Sequence, residues 1–320
     1  VNVPLLEATK LVKSFRAGRG RVQALAGVSL SVFEGETLGL VGESGCGKST
    51  LGRALLRLYE IDSGQILFQG HDISRLPERR LRPLRADMQM VFQDPLGALN
   101  PRRRVGDLIA EPLRVHRRGN RAQIAQRLDE LMALVGLDAS YLSRYPHEFS
   151  GGQRQRIGIA RAIALNPKLI IADEPVSALD VSVQAQIVNL LADLQARLAL
   201  TYIFIAHDLA VVRQIATRTA VMYLGTIVEI GETETVLATP AHPYTAALIS
   251  AAPEPDPGLR TKRTVLTGDP PSPLDPPAGC RFHTRCPIVQ PVCRVRIPAL
   301  QALGATRAVA CHFPLQSETG

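Results

Sequence analysis

The 320-residue chain is 46% hydrophobic and carries a net charge of +8, enough apolar material for one full α/β domain plus something smaller. No apolar run reaches the roughly 18 residues that a membrane-spanning helix needs. The longest candidate, 198–206, ends at His207 and Asp208, and no secretory core follows Lys10 and Lys13, so a soluble cytoplasmic protein able to dock on a membrane is expected. The positive charge, concentrated in 79–104 and 114–127, suits an anionic ligand, a membrane surface or nucleic acid, and a solvated face is the plainer account of it.

Residues 5–40 alternate apolar and polar side chains around turn signals at Gly18, Gly20, Gly27 and Gly35, which predicts a β-rich start. Phe15 is placed to stack on a purine or to join the core. Residues 36–41 then read as a short buried strand, and 49–58 carry helical apolar spacing at Leu51, Ala54, Leu55 and Leu58. Between them lies GESGCGKST (42–50), which fits G-x-x-x-x-G-K-[ST]. Strand, glycine loop and helix start aim backbone N–H groups and a helix dipole at one anion. Gly42, Gly45 and Gly47 let the loop approach phosphate oxygens, Cys46 is a small filler, and Ser44 and Thr50 flank the anion. Lys48 is expected to reach the β- and γ-phosphates, and Ser49 to coordinate Mg²⁺.

After a turn at Asp62-Ser63-Gly64, residues 65–68 predict a strand ending at Gly70, and 87–92 another that runs into Gln93-Asp94-Pro95. From 106 to 145 the pattern is helical, with Gly136 as a stop. FSGGQ (149–153) opens a further helix, with Ser150 as N-cap and the N–H groups of Gly151 and Gly152 free. That is a second anion-binding helix start, which one nucleotide does not need. Residues 169–173 form an apolar run ending in an acid, a buried strand that delivers Asp173 to the ligand edge of an open sheet. Asp173 would hold Mg²⁺ and Glu174 would orient or deprotonate the attacking water. Residues 202–206 are another buried strand, ending at His207, and 219–229 look like a hairpin. A boundary falls at about 252, where a proline-rich, aperiodic stretch (253–277) begins. Cys280, Cys286, Cys293 and Cys311 crowd beyond it, and in a cytoplasmic protein such a cluster points to metal or redox chemistry rather than disulfides.

Taken in order, Phe15, GESGCGKST (42–50), VFQDP with Gln93, FSGGQ (149–153), LIIADEP (169–175), SALD (177–180) and His207 strongly resemble the ATP-binding subunit of an ABC transporter. The resemblance implies an α/β P-loop ATPase core over residues 1–252, with a β-rich N-terminal subdomain and a helical signature subdomain at about 94–165. It implies a head-to-tail dimer in which Ser150, Gly151, Gly152, Gln153 and Asp180 meet the partner's ATP, Gln93 links Mg²⁺ to the membrane-subunit contact, and His207 senses the γ-phosphate. Residues 88–102, 171–187, 242–253 and 268–287 narrow it to the F-type ATPases of oligopeptide/dipeptide importers. Such a motor is expected to work peripherally on the cytoplasmic face of the inner membrane. Its partners would be a D-type or identical ATPase subunit, two permease subunits and an extracytoplasmic binding protein. Nickel and glycan importers share these features. In that subfamily residues 253–320 correspond to a C-terminal extension whose four cysteines hold a [4Fe–4S] cluster. Here the spacing C-x5-C-x6-C-x17-C matches no common C-x2-C metal pattern, and tetrahedral zinc or unligated thiols stay open. A soluble ABC ATPase acting on nucleic acid is the rival from another class. Against it, the chain lacks a coiled-coil insert, tandem ATPase halves and a basic–aromatic stripe, with aromatics at 4%.

Overall fold

The alternating residues of the N-terminal region fold into three strands, β1 (Pro4–Ala17), β2 (Gly20–Phe33) and β3 (Thr37–Val41). The computed structural model describes residues 3–18, 20–251 and 271–315. β1 and β2 are an antiparallel pair, with Pro4 opposite Phe33 and Ala17 opposite Gly20. β4 (Ser63–Phe68) pairs antiparallel with β1, and β5 (His71–Asp72) completes a sheet of order β2-β1-β4-β5.

The second sheet uses β3, β6 (Met88–Val91), β7 (Leu169–Asp173), β8 (Thr201–Ile205), β9 (Arg218–Tyr223), β10 (Thr226–Glu232), β11 (Gln301–Ala302) and β12 (Ala308–Val309). Its order is β11-β12-β10-β9-β3-β8-β7-β6. The five strands from β9 to β6 are parallel, and every residue of β3, β7 and β8 is buried. Burial on both faces is why these strands read as unbroken apolar runs in place of alternation. The register sets Asp173 beside Ile205 and Leu40 beside Ile205. The C-terminal ends of β3, β7 and β8 therefore share one edge of the sheet, the edge at which open α/β sheets bind ligands.

α1 (Lys48–Leu55) leaves the β3 end, and its Leu51, Ala54 and Leu55 fill the core between the two sheets. α2 (Glu78–Leu84) leads into β6. Between β6 and β7 stand α3 (Pro95–Ala98), α4 (Val105–Val115), α5 (Arg121–Leu134) and α6 (Gly151–Ile163), the helical block expected from the pattern at 106–145. Gly136, at φ 67, follows the end of α5 as its stop. The starts of α5 and α6 are set by reciprocal capping boxes, Asn120 with Gln123 and Ser150 with Gln153. α7 (Val181–Leu198), α8 (Leu209–Ile215), α9 (Thr233–Ala238) and α10 (Pro243–Ala251) complete the body. No helix among the described residues is long and apolar enough to cross a membrane.

Residues 253–270 of the proline-rich stretch (253–277) lie outside the described residues. Residues 271–315, with α11 (Pro291–Val295), are docked on the body. β12 adds to the free edge of β10, Val309 opposite Glu229. Phe282, 1% exposed, stands edge-on to Tyr223 with centroids 5.3 Å apart and packs on Tyr244 at 5.4 Å. Arg307 donates to the fully buried Glu229, whose carboxylate also accepts from the amides of Ala241 (3.0 Å) and His242 (2.9 Å).

Candidate active site

A cavity of about 360 Å³ opens where β3 passes into α1. Ser44, Gly45, Cys46, Gly47, Lys48, Ser49 and Thr50 form one wall, Gln93 and Glu174 a second, and Phe15, Val22, Gln23, Ala24, Leu224, Gly225 and Pro273 a third. Gly47 is the N-cap of α1 at φ 108, with its backbone pressed against the Ala24 carbonyl. A side chain there would be both strained and without room. Lys48 is 5% exposed, and its Nζ donates to the carbonyls of Gly42 (2.7 Å) and Glu43 (3.0 Å). The loop thus holds a cation at its own centre, beside the first amides of a helix, which is an anion site. Burial pushes the Cys46 thiol above its usual range, which suits an inert filler.

The Ser49 hydroxyl donates to Asp173 Oδ1 at 2.6 Å. Asp173 Oδ2 is buried with no hydrogen-bond partner, and the nearest cation, Arg53 Nη2, is 3.6 Å away. Burial pushes the Asp173 carboxyl above its usual range. A buried carboxylate with a spare oxygen beside a hydroxyl is a hard-oxygen pair that a small dication would satisfy. The fit to Mg²⁺ at Ser49 and Asp173 is therefore good.

Glu174 sits one residue beyond β7 at φ 46, a left-handed conformation unusual for a glutamate that precedes proline. Its amide is held by the Ile205 carbonyl at 3.0 Å. Its Oε2 accepts from Gln93 Nε2 at 2.8 Å and lies 3.7 Å from His207 Nδ1. Backbone strain maintained by neighbours is common at catalytic positions. The structure thus joins Gln93, Glu174 and His207, which sequence spacing had left 81 and 33 residues apart. His207 lies beyond the cavity wall, in a niche shared with Glu174, Ser177 and Gln184.

Ser150 caps α6 as expected, with the Gln153 amide donating to its Oγ at 3.3 Å. Asp180 caps α7 through the Val183 amide. None of Ser150, Gly151, Gly152, Gln153 and Asp180 lines the P-loop cavity. Phe15, which the sequence left between core and ligand wall, is in that wall, with its ring edge-on to Tyr59 and Lys13 Nζ 5.2 Å from its centroid. Val22, Gln23, Ala24, Leu224, Gly225 and Pro273 gave no sequence signal. They meet at the cavity only through the antiparallel β1–β2 pair, the β9–β10 turn and, for Pro273, the docked C-terminal region.

Cys280, Cys286, Cys293 and Cys311 line one small space together with His242, His283 and His312. The free volume is about 10 Å³, room for about one water. Burial raises the thiols of Cys280 and Cys286 and pushes that of Cys311 up to about 11. As they stand, no group of three or more His, Cys, Asp or Glu among the described residues is disposed to hold a metal ion.

A lysine centred in a glycine loop, a serine–aspartate pair and a glutamate at adjacent parallel strand ends define a P-loop ATPase. Residues 25–177 match the ABC transporter family, and residues 228–293 match the oligopeptide/dipeptide transporter C-terminal region. The oligopeptide transport ATP-binding protein AppF of Bacillus subtilis is 53% identical over 93% of this chain and 92% of its own length. The oligopeptide transport ATP-binding protein OppF of Escherichia coli is 54% identical over 88% and 85%. The dimeric post-hydrolysis structure of the ATP-binding cassette MJ0796, bound to ADP and Pi, superposes with TM-score 0.66 at 28% identity, covering 71% of this chain and 98% of that one. The chain belongs to the ABC transporter family, in the branch marked by the oligopeptide/dipeptide transporter C-terminal region.

Proposed function

We propose that this chain is the ATP-hydrolysing motor subunit of an importer of oligopeptides or dipeptides, working on the cytoplasmic face of the membrane. The observation that carries the chemistry is the pairing of Ser49 with a half-satisfied Asp173, next to a Glu174 held by Gln93. The triphosphate lies over the start of α1, where Gly45, Gly47 and Lys48 receive its β- and γ-oxygens, and Phe15 supports the base. Ser49, Asp173 and Gln93 would hold Mg²⁺, which neutralises charge on the transferring phosphoryl group. Glu174 accepts a proton from the attacking water, Gln93 keeps its carboxylate aimed, and His207, 3.7 Å from it, reports the γ-phosphate.

Ser150, Gly151, Gly152, Gln153 and Asp180 act on the nucleotide of a second ATPase subunit, identical or D-type. Support comes from their lying outside their own chain's P-loop cavity, at the capped starts of two helices. The oligopeptide transport role of AppF and OppF supports a peptide cargo, and two permease subunits and an extracytoplasmic binding protein would complete such an importer. Residues 1–252 serve as the nucleotide-binding domain, with its helical subdomain at about 94–165, and 253–320 as the transporter-specific extension. The four cysteines of that extension are a ligand set for a [4Fe–4S] cluster, with zinc as the alternative. Four thiols around one space support this chemically, and the present space suits one atom, so a cluster needs the sulfurs to part.

Glu174→Gln tests the motor reading. Phosphate release falls by at least about 100-fold while ATP binding persists. Undiminished hydrolysis refutes the assignment.

A further inference from the structure

The docked C-terminal region touches the phosphate loop or the wall of the nucleotide cavity at three places. Arg285, 7% exposed, sets its Nη1 and Nη2 2.9 and 3.1 Å from the two carboxylate oxygens of Glu43. Glu43 is a member of the phosphate loop itself. Its amide donates to Tyr244 Oη at 2.9 Å, and its carbonyl accepts from Lys48 Nζ at 3.0 Å. On the opposite wall, Arg281 donates to the Leu224 carbonyl and, at 2.8 Å, to Gln23 Oε1. Pro273 completes that wall.

We propose that Arg285 and Arg281 are positioning residues through which the docked C-terminal region sets the affinity of the site for ATP. The inference rests on the nucleotide-site reading above and deepens it. A carboxylate inside a phosphate-binding loop repels a polyphosphate, and a bidentate guanidinium cancels that charge while fixing the loop. The same grip holds the Glu43 carbonyl, and so the lysine that leans on it. Arg281 fixes the amide of Gln23 and the backbone of Leu224, two parts of the wall facing the loop. Phe282, wedged between Tyr223 and Tyr244, keeps the segment that carries both arginines in place. Neither arginine touches the water-activating group, so the effect falls on binding rather than on the chemical step.

The experiment compares the full-length wild type with Arg285→Ala, Arg285→Lys, Glu43→Gln and the Arg285→Ala/Glu43→Gln double variant. ATP is titrated directly, and steady-state phosphate release gives KM and kcat. Arg285→Ala raises both Kd and KM by about tenfold and leaves kcat within about twofold. Arg285→Lys loses less, because the charge survives without the bidentate geometry. Adding Glu43→Gln to Arg285→Ala restores part of the affinity, because it removes the stranded carboxylate, and this readout also serves if Arg285→Ala alone folds poorly. An unshifted KM in Arg285→Ala overturns the proposal, as does a double variant whose losses simply add. A wild type that binds no ATP refutes the nucleotide site itself, whereas wild-type binding with an unshifted Arg285→Ala removes only the role of the C-terminal region.

Discussion

Replacing Asp173 with Asn separates what the buried carboxylate costs the empty chain from what it contributes to the loaded one. Without ligand, Asp173 is 1% exposed, Oδ2 has no hydrogen-bond partner, and burial raises its pKa above the usual 3.8. A group whose folded pKa exceeds its unfolded value stabilises below the unfolded pKa and loses that contribution as pH rises through the folded one. At neutral pH the ionised Asp173 therefore weakens the empty fold, and Asp173→Asn unfolds at no lower temperature than wild type. That advantage disappears below about pH 3.8, where both forms are neutral. With ligand the sign reverses. Mg·ATP at about 100 times its Kd stabilises wild type by about 2.7 kcal/mol, roughly 5–10 °C at about 2–4 °C per kcal/mol. Loss of one anionic oxygen lowers affinity by about 100-fold, so the same concentration yields about 0.4 kcal/mol and about 1 °C. Thermal unfolding followed by dye fluorescence, with ATP plus Mg²⁺ and with ATP plus EDTA, reads both quantities. An Asp173→Asn chain that keeps the full metal-dependent shift refutes the reasoning, and so does one whose empty form melts several degrees lower.

Removing Arg307 leaves the fully buried Glu229 with two amide donors and no cation. Arg307→Leu is therefore expected to cost about 3–5 kcal/mol in chemical denaturation, and Glu229→Gln in the same chain recovers much of it; a loss below about 1 kcal/mol marks the pair as unimportant. For the four cysteines, anaerobically purified protein is expected to contain roughly four iron and four sulfide per chain. One zinc replaces the cluster by a tetrahedral site, and neither metal rejects the ligand set.

Much of the catalytic centre was legible because its parts are local. GESGCGKST carries its strand, loop and helix start within one stretch, and Gly42 and Gly47 there answer nearby steric demands, against the Met222 and Ala24 carbonyls, while Gly45 answers only its positive φ of 76. Apolar runs at β3, β7 and β8 foretold fully buried parallel strands, and the ends of those runs foretold where Asp173, Glu174 and His207 emerge. Ser150 was recognisable as a cap because a capping box is contained in four consecutive residues.

What the sequence hid is long-range. Arg285 and Glu43 lie 242 residues apart, Arg281 and Gln23 258, and a chain with 37 Lys and Arg residues gives no hint which of them will find a partner. β11 and β12 are two residues each and carry no periodicity, so the cysteine-containing extension beyond the proline-rich stretch gave no sign of strands, although its strands extend the main sheet. The sequence alone determined the phosphate loop, the order of buried strands and the acids at their ends, because nearest-neighbour sterics and burial act on consecutive residues. Only the tertiary structure decided that Gln93 donates to Glu174, that the FSGGQ helix start lies outside its own chain's P-loop cavity, and that Arg285 of the C-terminal region pairs with Glu43 of the loop. Those pairings depend on which strand edges and helix ends the folded core brings within hydrogen-bond reach.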